Sequence, residues 1–244
     1  MLRFLQLPER FVVLQEFRTQ HSTTIEKEIA RIWDAERQVS GVRLFNGPLF
    51  SVEQVSADTV TGYFIEYRTY LAQLRRPELF SELRVQPLAV TGLLQNREGF
   101  FFGLRNPGLA QQQDCWELIP AGGIDASTLT SDRQVQPHEQ LLGELEEEVG
   151  LKRAEVGSPR LVCFSEDLDL HVFELVWELE TTLDTKTVKA AHAAIEHPEH
   201  AEIRCVSWQD LQEFLADDRR AIVSGNRDLL NHIARDKRWM QRVN

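Results

Sequence analysis

Apolar residues along the chain alternate between two spacings, one suited to strands and one to helices. RFVVLQEFR (10–18) reads as a strand. It is followed by a helical pattern through TTIEKEIARIWDAERQ (23–38), in which Ile25, Ile29 and Ile32/Trp33 share a face and Thr23 or Thr24 is placed to cap. RLFNGPLFSVEQV (43–55) and TVTGYFIEY (59–67) read as extended, with a turn at Asn46-Gly47-Pro48, and YRTYLAQLRR (67–76) as a short helix. From about residue 87, PLAVTGLL (87–94) and GFFFGLR (99–105) predict a hairpin around QNRE. WELIPAGG (116–123) is a short strand broken at Pro120 and a Gly-Gly pair. An acidic helix is expected from Pro137 to Val149, with proline in its first turn and Gly150 beyond its end. Strands at 159–166, 168–180 and 202–208 and helices at about 209–217 and 224–240 complete the pattern. Strands interleaved with helices predict an α/β layered domain.

The acidic helix contains GELEEEVGL (143–151), with four carboxylates in five positions. At ~100° per residue, Glu144, Glu147 and Glu148 share one arc, while Leu141, Leu142, Leu145 and Val149 form the face turned to the core. Like charges at i,i+4 cost a helix only a few tenths of a kcal/mol, so a solvated face and a cation cage both remain open on these residues alone.

Composition narrows the partners. The formal net charge is −11 and no basic stripe is visible, which argues against nucleic acid as a partner. No apolar run approaches the ~18–20 residues that span a bilayer, so no membrane role is expected. Three widely spaced cysteines (Cys115, Cys163 and Cys205) without a CxxC pair predict a reduced, cytoplasmic setting and no zinc site.

The order of strand, Pro-x-Gly-Gly, loop and Glu-Leu-Glu-Glu-Glu-x-Gly-Leu helix resembles the Nudix box. Gly123 matches the opening glycine, and Glu144, Leu145, Glu147, Glu148, Gly150 and Leu151 match the closing half. The resemblance covers roughly residues 85–244. It implies an α/β/α sandwich around a mixed sheet over 87–244, with residues 1–86 as an α+β amino-terminal extension on the substrate side. It also implies Mg²⁺, or Mn²⁺ in its place, held by Glu144, Glu147 and Glu148, any of which can double as the base for water. The activity implied is hydrolysis of a small-molecule nucleoside diphosphate substrate. Gly122 and Gly123 let the backbone approach the ligand. Arg105 either reaches the diphosphate or makes a surface ion pair.

Two departures from the box bear on activity. Gly143 stands where the family carries arginine, and the box loop is longer than the family spacing. The signature's earlier glutamate therefore falls near Val135, leaving Glu139 or Asp132 as replacements. In the EHPEHAE segment (196–202), Glu199 and Glu202 are further accessory acids, because some Nudix enzymes place a catalytic acid there. The histidines of that segment read as a solvated loop, and His171 as a packed strand residue.

Tyr67, Arg68 and Leu71, with Tyr70 as the aromatic, resemble a Tyr-Arg-x-aromatic-Leu pattern in the extension of a UDP-sugar-hydrolysing branch. That resemblance implies cleavage of UDP-glucose to UMP and glucose 1-phosphate. A base would stack on Tyr67 or Phe45, and phosphate would meet Arg43 or Arg68. ADP-ribose, or another nucleoside diphosphate derivative, is the nearest rival substrate. A non-catalytic nucleotide sensor is the rival class: Gly143 and the missing glutamate favour it, and the three clustered carboxylates oppose it.

Overall fold

A computed structural model of the chain describes residues 1–17, 21–39, 44–109, 111–217, 220–223 and 225–233. Arg43 lies outside these residues. Among the described residues the strands form two sheets. The larger contains β1 (Leu2–Phe4), β5 (Leu88–Asn96), β6 (Gly99–Arg105), β7 (Trp116–Leu118), β8 (Ala121–Gly123), β9 (Arg160–Asp167), β10 (Val172–Glu180) and β11 (His200–Ser207). The smaller contains β2 (Arg10–Phe17), β3 (Pro48–Val55) and β4 (Thr59–Glu66), in the order β2-β4-β3.

The main path of the larger sheet runs β1-β9-β10-β5-β6-β11, and β10 is parallel to β5. The β5–β6 hairpin is paired only near its turn, at Gln95↔Phe100 and Asn96↔Gly99. Beyond that point the strands part. β7 takes the edge of β6 and β8 the edge of β5, so the 116–123 segment is two short strands rather than one. The split comes at Pro120, whose ring packs where Gly92 has no side chain: a Cβ there would lie 2.5 Å from Pro120 Cδ. This split positions Glu117 and the Gly122-Gly123 pair.

Helices cover both faces, as the α/β/α expectation requires. On one face lie α4 (Pro137–Glu144) and α5 (Thr185–Ala193), with Leu141, Leu145, Val149 and Val188 against Val90, Leu94 and Leu179. On the other lie α6 (Leu211–Ala216) and α7 (Asn226–Ile233), with Phe214, Leu229 and Leu230 against Leu93, Phe102 and Val176. The smaller sheet joins the first core through Phe11, Phe50, Val52, Val60 and Phe64. The long box loop runs along β2, with Val13 N–H donating to Arg133 O at 2.8 Å and Val135 N–H to Phe11 O at 3.0 Å. A third core packs α1 (Thr23–Arg37) on α2 (Tyr67–Arg75) through Ile29, Ile32, Tyr70 and Ala72, beside α3 (Phe80–Leu83). Residues 1–86 thus supply β1 to the larger sheet and side chains to its core.

Several boundaries differ from expectation. Ser22, not a threonine, caps α1 by accepting from Ile25 N–H at 3.3 Å. β3 begins at Pro48 and β10 at Val172; the residues before β10 turn, with His171 at φ 57° and stacked on Phe80. α6 and α7 are shorter than predicted within the described residues. The acidic helix is not uniform either. It is α-helical to Glu144 and then widens into a π-type turn over Leu145–Val149. Gly150 closes it at φ 78°, and a Cβ there would lie 2.6 Å from Ala191 O.

Gly143 is exposed on α4, and a Cβ would meet nothing within 4 Å. Gly143→Ala is therefore expected to stabilise the fold by about 0.5–1 kcal/mol, read as a higher denaturant midpoint at unchanged m-value.

Candidate active site

The cleft beside the β5/β6 split has a volume of about 450 Å³. One wall is the edge of the amino-terminal segment, with Phe45, Tyr67 and Tyr70. The floor is the larger sheet, including Thr91, Glu117, Gly122, Gly123 and Glu174, and Arg105 and Glu199 close one end.

Glu117 is the centre of the polar floor and is 4% exposed. Its Oε1 accepts from Arg105 Nη1 at 2.6 Å and meets His200 Nε2 at 2.7 Å. Register explains the meeting: Glu117 faces Gly103 across β7–β6, and His200 faces Arg105 across β11–β6. Gly103 has no side chain, and a Cβ there would overlap the His200 ring.

Glu148 enters from the helix side. Its Oε2 accepts from Ala121 N–H at 2.9 Å, and it is 2% exposed. Burial, reinforced by the Glu117, Glu144 and Glu199 charges, pushes its carboxyl well above the usual range against that one bond. Glu144 packs under Gly122, where a Cβ would overlap its carboxylate, and accepts from Gln140 Nε2 at 2.8 Å. Burial pushes Glu144 up to about 7, with Glu147, Glu199 and Asp125 adding to the effect. Glu144 and Glu148 therefore stand behind the Ala121–Gly122 backbone, next to the cleft floor. Glu147 is exposed and does not line the cleft. Glu148 is buried with Leu145 and Val149 in the π-type turn; at ~100° per residue it stands at the edge of the leucine face, next to Leu141.

The other candidates divide. Gly122 and Gly123 line the cleft, as do Tyr67, Arg105 and Glu199. Gly122 is required by the Glu144 carboxylate, and a Cβ on Gly123 would come within 2.6 Å of Leu49 Cδ1. Arg105 makes an ion pair, but an enclosed one rather than a surface one. The Tyr67 hydroxyl accepts from Gln111 Nε2 at 3.1 Å. Arg68 turns to Glu66, at 2.7 Å, and is not brought into the cleft. Glu139 pairs with Arg153, Asp132 binds Thr130 and Gln134, and Glu202 is exposed near Arg204 at 3.8 Å, so none of the three joins the cluster. Val135 is 3% exposed in the core. His200 is no solvated loop residue, since it is fully buried at the start of β11.

Sequence reading passed over Glu117 and gave His200 the wrong setting. The available signal for Glu117 was an acid between Trp116 and Leu118 in a strand that is buried throughout. One ligand atom from each of Glu117, Glu148 and His200 lies within 4.8 Å of the others. With Glu144 alongside, the donors are chiefly hard carboxylate oxygens, and Arg105 offsets only part of their charge. That set fits Mg²⁺ or Mn²⁺.

No protein-family model and no curated protein matches the sequence. Among solved structures the chain is similar to the DR0079 protein of Deinococcus radiodurans, at 14% identity and a TM-score of 0.52, covering 77% of this chain and 99% of that one. This likeness is one of fold. The chain is also similar to an ADP-ribose pyrophosphatase of Streptococcus suis, at 16% identity and TM-score 0.40, covering 63% of this chain and 93% of that one. A Nudix hydrolase of Nitrosomonas europaea gives 14% and 0.44, covering 63% and 73%.

Proposed function

We propose that this chain is a divalent-metal-dependent hydrolase of nucleoside diphosphate derivatives, with a nucleoside diphosphate sugar such as UDP-glucose as its substrate. The observation that carries the reading is the set of buried Glu117 and Glu148 and half-buried Glu144 beside one arginine, with Glu117 on the floor of a cleft and the other two next to it. Buried carboxylates in such excess are costly without a cation. The match of Glu144, Glu147 and Glu148 to the Nudix box supports the same reading.

Glu148 and Glu144 would hold the metal, with exposed Glu147 next to them on the same helix and Glu117 and His200 adjoining. Bound Mg²⁺ or Mn²⁺ supplies charge neutralisation at the diphosphate and a more acidic water. Arg105 and His200 hold Glu117 in one orientation, which keeps the floor ordered before substrate arrives. Gly122 lets the Glu144 carboxylate pack directly against the backbone that lines the cleft. One of Glu144, Glu147 and Glu148 would take the proton as water oxygen bonds to one phosphorus and the bridging P–O bond breaks. Tyr67 and the 84%-exposed Phe45 offer faces to a base at the cleft mouth.

The test is product release from UDP-glucose, ADP-ribose and other nucleoside diphosphate derivatives in Mg²⁺, Mn²⁺ or EDTA. UMP and glucose 1-phosphate are expected, only with metal. Cleavage of ADP-ribose alone would retain the hydrolase and overturn the sugar nucleotide. No turnover of any substrate would overturn the enzyme.

A further inference from the structure

Glu174 is a half-buried carboxylate on the cleft floor that the chemistry above does not use. It sits on β10 facing Ala89 on β5, which in turn faces Gly123 on β8. The three lie in one row across the sheet, so Glu174 is two strand spacings, about 10 Å, from the glycine turn. It shares a sheet face with Thr91, whose hydroxyl donates to it.

The neighbouring acids are better provided for. Glu166 pairs with Arg3, Glu178 with Arg160 and Gln95, and Glu117 with Arg105 and His200. Asp167, which lines the same cleft, accepts from Asp169 N–H at 2.9 Å and Leu170 N–H at 3.2 Å. Among the described residues Glu174 has the Thr91 hydroxyl and no cation. A carboxylate has about four acceptor positions, and one bond leaves the others available to a ligand in the cleft. Burial raises its pKa, with Glu117 and Asp167 adding to the rise against the Thr91 bond, so a ligand that donates hydrogen bonds relieves it.

We propose that Glu174 is a specificity-determining residue that accepts hydrogen bonds from the hydroxyl groups of a sugar carried beyond the diphosphate. This rests on the reading of the Glu144/Glu148 end as the diphosphate end. A carboxylate repels phosphoryl oxygens, which assigns the phosphates to the Arg105 and metal end. The uracil edge sets one N–H between two carbonyl oxygens and suits a carboxylate poorly. Adjacent sugar hydroxyls present two donors side by side and suit it well.

The experiment is calorimetric binding, with Mg²⁺, of UDP-glucose and UDP analogues whose bridging oxygen is replaced by CH₂, so that nothing is cleaved. Parent protein binds the glucose-bearing analogue more tightly than the bare one. Glu174→Gln loses about tenfold or more on the glucose-bearing analogue, the loss of one or two charge-assisted bonds, and stays within about twofold on the bare one. Its ligand-free melting temperature is not lowered, because the amide keeps the volume and can still accept from the Thr91 hydroxyl. Thr91→Val shifts the same selectivity in the same direction by less. Equal losses on both ligands, unchanged selectivity, or a parent without preference for the sugar would each overturn the proposal. Hydrolysis of unmodified UDP-glucose is measured separately. Its absence alongside sugar-selective binding sinks the hydrolase and leaves Glu174 in its role, while its presence without a change in selectivity does the reverse.

Discussion

Glu148→Gln is expected to lower metal-dependent hydrolysis by at least about 100-fold, the scale set by loss of a carboxylate acting in the transition state. Glutamine keeps the side-chain size and can still accept from Ala121 N–H, so the geometry around the glycine turn survives. What goes is one negative charge, in a place where burial and the Glu117, Glu144 and Glu199 charges already oppose it. In EDTA the variant should therefore melt at the parent temperature or above. Added Mg²⁺ or Mn²⁺ should raise the melting temperature of the parent and leave the variant's nearly unchanged. Glu147→Gln, at an exposed position, should cost less on both readouts. Turnover of Glu148→Gln within a few-fold of the parent would remove Glu148 from the metal site, and a lowered melting temperature in EDTA would mean the charge is compensated in the free protein.

In EDTA, stability should fall as pH rises from 4.5 to about 7, and much of that slope should vanish in Glu144→Gln. Glu144 has its folded pKa raised from 4.5 to about 7, so across this window the folded chain binds more protons than the unfolded one. Its contribution is fully present below the unfolded value and is lost as pH climbs through the folded one. The shift corresponds to something on the order of 3 kcal/mol, less to the extent that water enters the cleft. With Mg²⁺ the slope should flatten, because the ionised carboxylate then has a cation to meet. Denaturant unfolding of parent and variant at pH 5 and pH 7.5, with and without metal, reads both effects. A parent and variant with parallel pH profiles in EDTA would place Glu144 in contact with water in the free protein.

The sequence by itself determined the elements and most of their order. Ile25, Ile29 and Ile32 at helical spacing, the apolar runs at 87–94 and 99–105, and Pro137 and Gly150 around the acidic helix are local signals, and local signals survive without knowledge of packing. The same holds for the Glu144, Glu147 and Glu148 spacing. Tertiary structure decided which of those carboxylates is enclosed. Regular helical periodicity places Glu144, Glu147 and Glu148 on one arc, whereas in the structure Glu148 is buried beside Leu145 and Val149 and Glu147 is exposed. Glu117 joins the acids because β5 and β6 separate and admit β7, and His200 joins because β11 pairs with β6 from nearly one hundred residues away. Arg68 leaves the site for Glu66, and Glu139 for Arg153, through partners that no spacing rule reveals. The reason is common to all of them. Helix and strand periods report which face a residue occupies on its own element, whereas burial and charge pairing depend on which other elements pack there.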